Sequence, residues 1–208
     1  MDRSKLQVPA NIKLVGFAGR AGSGKDTAAN LVGFYKSSFA RPLKHACAAL
    51  FGLMPKDFNE PQYKEQIDPY WGISPRQMAQ FFGTEVVRNH MEELLPGIGK
   101  DFWVYRQTQQ IKQFFGEAPI NPTLVAITDV RFQNEYDWII SNGGIIIHIT
   151  RPDVAQTVGI PNHPSEAGIP NIHTPERTFY VNNTGTIAQL QETVKTIIST
   201  AFPSISLP

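Results

Sequence analysis

Leu14-Val15-Gly16-Phe17-Ala18-Gly19-Arg20-Ala21-Gly22-Ser23-Gly24-Lys25-Asp26-Thr27 is a short apolar run that breaks into a glycine-rich turn ending in lysine. Gly19 to Gly24 followed by Lys25 fits the G-x-x-x-x-G-K pattern, whose backbone N–H groups point inward around phosphate oxygens while the lysine reaches the β- and γ-phosphates. Residues 12–18 read as a strand and residues 27–35 have helical apolar spacing. The turn therefore falls at a helix N-terminus, where free N–H groups and the helix dipole favour an anion. One position departs from the pattern: Asp26 stands where a Ser or Thr hydroxyl normally meets Mg2+, and Thr27 follows one place later. Asp26 is the candidate Mg2+ ligand, directly or through water; the alternative is a carboxylate that merely suits the first helical turn.

At 208 residues the chain suits one domain with a small inserted region. A hydrophobic fraction of 41% and a charged fraction of 18% are ordinary for a globular protein. The formal net charge of +1 lacks the clustered basic field that nucleic-acid or membrane binding needs. The single cysteine, Cys47, rules out an internal disulfide and a cysteine-based zinc site; its alanine neighbours make it a buried helix residue. With no apolar run near the ~20 residues that span a bilayer, the expectation is a cytoplasmic protein.

Downstream, residues 35–40 form a second candidate strand, and Pro42 opens a helix that runs to Phe51 and stops at Gly52. Arg41 and Lys44 lie at that helix's start, where a cation opposes the dipole and is easier to explain beside an anion. Residues 54–72 show no period and read as a loop. Ser74-Pro75-Arg76-Gln77 is a capping box followed by an apolar face; Gly83-Thr84-Glu85 is read as ending that helix and capping the next. A further helix is expected over residues 101–115, so the region of about 53–120 is a helical insertion suited to a substrate.

Residues 124–128 form a continuous apolar strand with Asp129-Val130-Arg131 at its carboxyl end, where open α/β sheets bind ligands. Another strand covers 145–149, with Arg151-Pro152 beyond it. Residues 151–175 read as a lid-like loop, 178–181 as a last short strand, and Thr186 as the cap of a final helix. Five strands without polar alternation, separated by helices, argue for a parallel sheet covered on both faces.

If a nucleoside triphosphate sits on the loop, transfer of its phosphoryl group rests on alignment and charge neutralisation. Lys25, Asp129, Arg131 and Arg151 are the candidates for that work. Each has a plainer alternative: Asp129 as a turn residue, Arg131 as an ion-pair partner of Glu135 four residues on, and Arg151 as a solvated surface charge. His163 and Glu166 could order the loop, and Trp71 and Trp103 read first as core or loop anchors. His163 and His173 do not have the spacing of a recognised metal site.

As a set, Gly22-Ser23-Gly24-Lys25-Asp26-Thr27, Arg41-Pro42-Leu43-Lys44, Arg76 with Gly83-Thr84-Glu85, Phe102-Trp103-Val104, Thr128-Asp129-Val130-Arg131 with Glu135, Arg151-Pro152 and Ser165-Glu166-Ala167-Gly168 resemble the deoxynucleoside monophosphate kinases of tailed bacteriophages. The order and approximate spacing match across nearly the whole chain, and Asp26 fits that family's own Gly-Lys-Asp-Thr form. The resemblance implies a P-loop nucleoside monophosphate kinase fold: a five-stranded parallel sheet of order 2-3-1-4-5 flanked by helices, with a helical acceptor region and a lid. It implies transfer of the γ-phosphoryl group of MgATP to a deoxynucleoside 5'-monophosphate. Ala21, Gly22, Ser23, Gly24, Lys25, Asp26 and Thr27 would hold ATP. Lys44, Arg76, Gly83, Thr84, Trp103, Asp129, Arg131, Glu135 and Glu166 would serve the acceptor. The host cytoplasm is the expected compartment if the chain is of phage origin, and a homodimer is left open. Two other readings remain: another small-molecule P-loop kinase, such as one acting on dephospho-coenzyme A, and a non-catalytic nucleotide switch.

Overall fold

Leu14 and Val15 are both fully buried, on opposite faces of one strand, each in a different hydrophobic cluster. That two-sided burial is why the run is apolar without alternation. The computed structural model describes residues 2–31, 35–116, 123–152, 160 and 162–205. The strand is β1 (Ile12–Ala18), and it lies at the centre of a five-stranded sheet with β2 (Tyr35–Ser37), β3 (Thr123–Val130), β4 (Ile145–Thr150) and β5 (Thr178–Asn182). The order is β2-β3-β1-β4-β5 and every pairing is parallel, as the resemblance implies. The pairing of β1 with β3 shifts register between Gly16 and Ala18, just before the glycine-rich turn.

Helices cover both faces. On one side α1 (Lys25–Leu31) and α9 (Ile187–Ala201) pack Ala28, Ala29, Leu190, Val194 and Ile198 against Val15, Phe17 and Ile147. On the other, α2 (Ala40–Phe51), α5 (Pro75–Phe81), α7 (Phe102–Phe115) and α8 (Gln133–Ser141) bring Leu43, Cys47, Met78, Val104, Ile111 and Tyr136 onto Leu14, Val125 and Ile127. Cys47 is buried as its alanine neighbours foretold, and burial pushes its thiol up to about 11. Among the described residues, no helix is long and apolar enough to cross a membrane.

Two local expectations are corrected. Residues 54–72 contain the short helices α3 (Pro55–Asn59) and α4 (Pro61–Lys64), each with proline in its first turn and each too short to show a period. The chain also does not break at Gly83. It continues from α5 through a π-helical stretch, Phe82–Arg88, into α6 (Asn89–Leu94), with helical backbone at each junction. Gly83 is there for close packing: a Cβ would lie 2.5 Å from Leu43 Cδ2. Its carbonyl accepts the indole N–H of Trp103 at 3.0 Å. A π-turn frees such carbonyls for outside donors, which is one reason these turns gather at working sites.

Candidate active site

The turn after β1 is held in a shape that two of its glycines make possible. Gly19 has φ 133°, and a Cβ there would lie 2.2 Å from the Ile149 carbonyl oxygen of β4. Gly24 has φ 103°, and a Cβ there would meet the Asn183 amide at 2.5 Å. That amide, just past β5, donates to the Ser23 carbonyl at 2.9 Å and braces the turn from behind. Asn183 had no sequence signal, because its partner is 160 residues away.

Lys25 opens α1 and is 7% exposed. Its ammonium donates to the carbonyls of Gly19 at 2.7 Å and Arg20 at 2.6 Å, so it lies folded over its own loop. Burial, reinforced by the Arg131 charge, lowers its pKa to about 8. An ammonium short of counter-charge in this way is matched to an incoming polyanion.

Lys25 and Asp26 form one wall of a cavity whose other walls come from α2, α3, α4, α5, the π-helical stretch, α7, the end of β3, the start of α8 and Ser165. Lys44, Lys64, Arg76, Gly83, Thr84, Trp103, Asp129, Arg131 and Glu135 all line it, with Ala21 and Gly22 at the loop. The lining carries five cationic side chains (Lys25, Lys44, Lys64, Arg76, Arg131) against three carboxylates (Asp26, Asp129, Glu135). A chain with a net charge of only +1 thus concentrates positive charge at one place. Lys64 and Gln80 were not foreseen. Gln80 was legible in principle, since Arg76, Gln80, Gly83 and Thr84 fall at helical spacing on one face.

Asp129 belongs to β3 itself and accepts the backbone N–H groups of Phe39 and Ala40, both at 2.9 Å. It places a carboxylate at the start of α2, where Arg41 and Lys44 had suggested a bound anion. Burial raises the Asp129 pKa, opposed by those two hydrogen bonds and by Arg131. Lys44 donates to Asn59 at 3.1 Å, and its pKa is lowered by burial.

Glu135 does not pair with the Arg131 guanidinium. One of its oxygens accepts the backbone N–H groups of Arg131 at 2.8 Å and Phe132 at 3.1 Å, capping α8. The other accepts from Arg88 at 2.9 Å, in an ion pair whose side chains are 5% and 3% exposed. Arg88 also donates to Asn134 at 2.8 Å and lies 3.6 Å above the Phe132 ring. Sequence reading missed Arg88, since a lone arginine on a helix carries no mark of its partner.

The Arg131 guanidinium instead reaches Ser165 and forms an ion pair with Glu166. Arg76 pairs with Glu65 and approaches Glu166 at 3.8 Å. Arg151 is exposed at the end of β4 and lies outside the cavity lining. The part of the expected lid at residues 153–159 and 161 lies outside the described residues. His163 and His173 bond different groups, Ser165 with Glu85 and Thr174 with Asp137 respectively. Trp71 anchors a loop through the Phe51 carbonyl, 3.0 Å away.

The donor set at the loop suits Mg2+, a hard cation that keeps several waters and takes one or two carboxylates. Asp26 is an exposed carboxylate on the cavity wall, whereas both Asp129 oxygens already accept backbone N–H groups. Of the two, Asp26 is the one that could hold such a cation.

A family profile described as deoxynucleotide monophosphate kinase matches residues 54–194, which begin beyond the phosphate loop. A protein of Acanthamoeba polyphaga mimivirus, named as a deoxynucleotide monophosphate kinase, is 36% identical over 82% of this chain and 89% of its own. The deoxynucleoside-5'-monophosphate kinase of Escherichia phage T5 is 25% identical over 76% of this chain and 85% of its own. A gluconokinase from Sinorhizobium meliloti overlaps 93% of this chain and 94% of its own, at a TM-score of 0.43 and 9% identity, too distant to carry argument. The chain belongs to the deoxynucleotide monophosphate kinase family, phosphotransferases that act on deoxynucleoside monophosphates.

Proposed function

We propose that the cavity joins ATP on the phosphate loop to a deoxynucleoside 5'-monophosphate on the helical side. An acceptor phosphate oxygen attacks the γ-phosphorus, the bond to the β,γ-bridging oxygen breaks, and ADP and a deoxynucleoside diphosphate leave. The observation that carries this reading is the convergence of Lys25, Arg76 and Arg131, from three separate elements, on one cavity also lined by Trp103 and Glu135.

Lys25 and the N–H groups of residues 21–27 hold the donor's phosphates. Asp26 would hold Mg2+, which would supply further neutralisation of the donor's phosphate charge. Arg76, Arg131 and Lys44 take the acceptor phosphate. Thr84, Trp103 and Glu135 face its nucleoside, and Gly83 leaves room beside Leu43. Asp129 keeps the start of α2 in place, and so orients Lys44. Residues of about 53–120 serve as the acceptor region, and Arg151, at the end of β4, serves the transferred group. A lone buried cysteine suits a reducing cytoplasm, that of the host for a viral chain.

ADP release measured with each of the four deoxynucleoside monophosphates tests the reading. At least one should be phosphorylated, and Lys25→Ala should lower that rate about a hundred- to a thousandfold, as loss of a donor to the transition-state charge does. Inactivity with all four, or an unchanged rate in Lys25→Ala, overturns it.

A further inference from the structure

We propose that the Glu166 carboxylate keeps the acceptor phosphate's place at Arg76 and Arg131 in the empty enzyme. An acceptor must then bring a phosphate dianion to take the arginines over, which makes Glu166 a specificity-determining residue. The proposal rests on the reading of the cavity as an acceptor site.

One oxygen of Glu166 pairs with the Arg131 guanidinium and accepts from Gln80 Nε2 at 3.4 Å, while Arg76, which donates to Glu65, brings Nη1 to 3.8 Å. All three side chains line the cavity, while the carboxylate reaches them from the turn at Pro164–Glu166. A cluster of donors from α5 and the end of β3, closing on a single anionic oxygen, has the chemistry that a phosphate oxygen requires. The side chains of Arg76, Arg131 and Glu166 are 12%, 28% and 23% exposed, so the contact is reachable from solvent and of modest strength.

Release of the carboxylate need not dislodge the turn. His163 holds it separately: its Nδ1 bonds the Ser165 hydroxyl at 2.8 Å and its Nε2 lies 3.5 Å from Glu85 of the π-helical stretch. Glu166 can thus swing away while its neighbours stay. A tethered carboxylate competes at an effective concentration on the order of mM. It carries one charge, whereas a phosphomonoester carries about −1.5 to −2 at neutral pH. A phosphate therefore displaces Glu166 where a neutral nucleoside gains nothing at the arginines.

Calorimetric titration of wild type and Glu166→Gln tests this, with the four deoxynucleoside monophosphates, the matching nucleosides and inorganic phosphate as probes. The variant should bind the accepted monophosphate and inorganic phosphate about five- to tenfold more tightly, with nucleoside affinity unchanged. Weaker or unchanged monophosphate and phosphate binding overturns the proposal, because Glu166 would then contact the acceptor or do nothing. Equal tightening for nucleosides overturns it too. Tighter inorganic phosphate in a protein that phosphorylates no monophosphate supports the counter-ion role while the kinase reading fails, so the two failures are told apart.

Discussion

Arg88 is the residue on which the acceptor wall depends, although it is absent from the lining itself. Its guanidinium holds one Glu135 oxygen while the other caps the N–H groups of Arg131 and Phe132. Arg88 thus fixes the backbone from which Arg131 projects into the cavity. A buried pair is dangerous to break, because the partner left behind has neither water nor counter-charge. Arg88→Met should cost about 3–5 kcal/mol in urea denaturation at pH 7. The loss should shrink at pH 5, because burial already raises the Glu135 pKa to about 7 and a protonated Glu135 needs no cation. Equal losses at both pH values would mean that Arg88 acts through packing alone.

Between α5 and α6 the π-helical stretch does what a cap was expected to do, and does it without ending the helix. Glycine after an apolar face is a common stop signal, and Gly83 was read that way. Its real constraint lies in the Leu43 side chain of α2 and the Trp103 indole of α7, both distant in sequence. Local patterns cannot report such partners. The same limit hid α3 and α4, whose few residues cannot complete a period, and with them Lys64. Gly83→Ala should destabilise the protein by about 1–3 kcal/mol through overpacking, and Leu43→Ala in the same chain should recover part of it. Thermal melts of the two variants decide the matter; additive losses would refute the contact.

Across the whole molecule, what was legible was whatever repeats along the chain. Apolar runs mark the strands because both sheet faces are buried, and the spacing from Gly19 to Lys25 marks the loop between β1 and α1. Which side chains meet across the cavity was legible only in part: Asp129 and Arg131 from their place at a strand end, Arg76 and Trp103 only through the family resemblance, and Arg88, Gln80 and Asn183 not at all. The site also shapes the stability of the entire fold. Glu135 has its pKa raised from 4.5 to about 7, so its stabilising contribution is full below pH 4.5 and is lost as pH rises through 7. Lys25 has its pKa lowered from 10.5 to about 8, so its cost persists up to pH 8 and is relieved as pH rises toward 10.5. Together they put a trough of stability between about pH 7 and pH 8, where the charged forms needed for phosphates prevail. Denaturation across this range should show the trough in wild type and a flattened alkaline limb in Lys25→Met; identical alkaline limbs would remove Lys25 from the account.

The brace from Asn183 to the Ser23 carbonyl ties the first loop of the chain to its last strand. The glycine-rich turn lacks this particular brace until β5 has paired with β4 and brought Asn183 behind it. A chain cut before Asn183 would keep every phosphate-binding residue of the loop and lose the hydrogen bond that steadies the Ser23 carbonyl from behind.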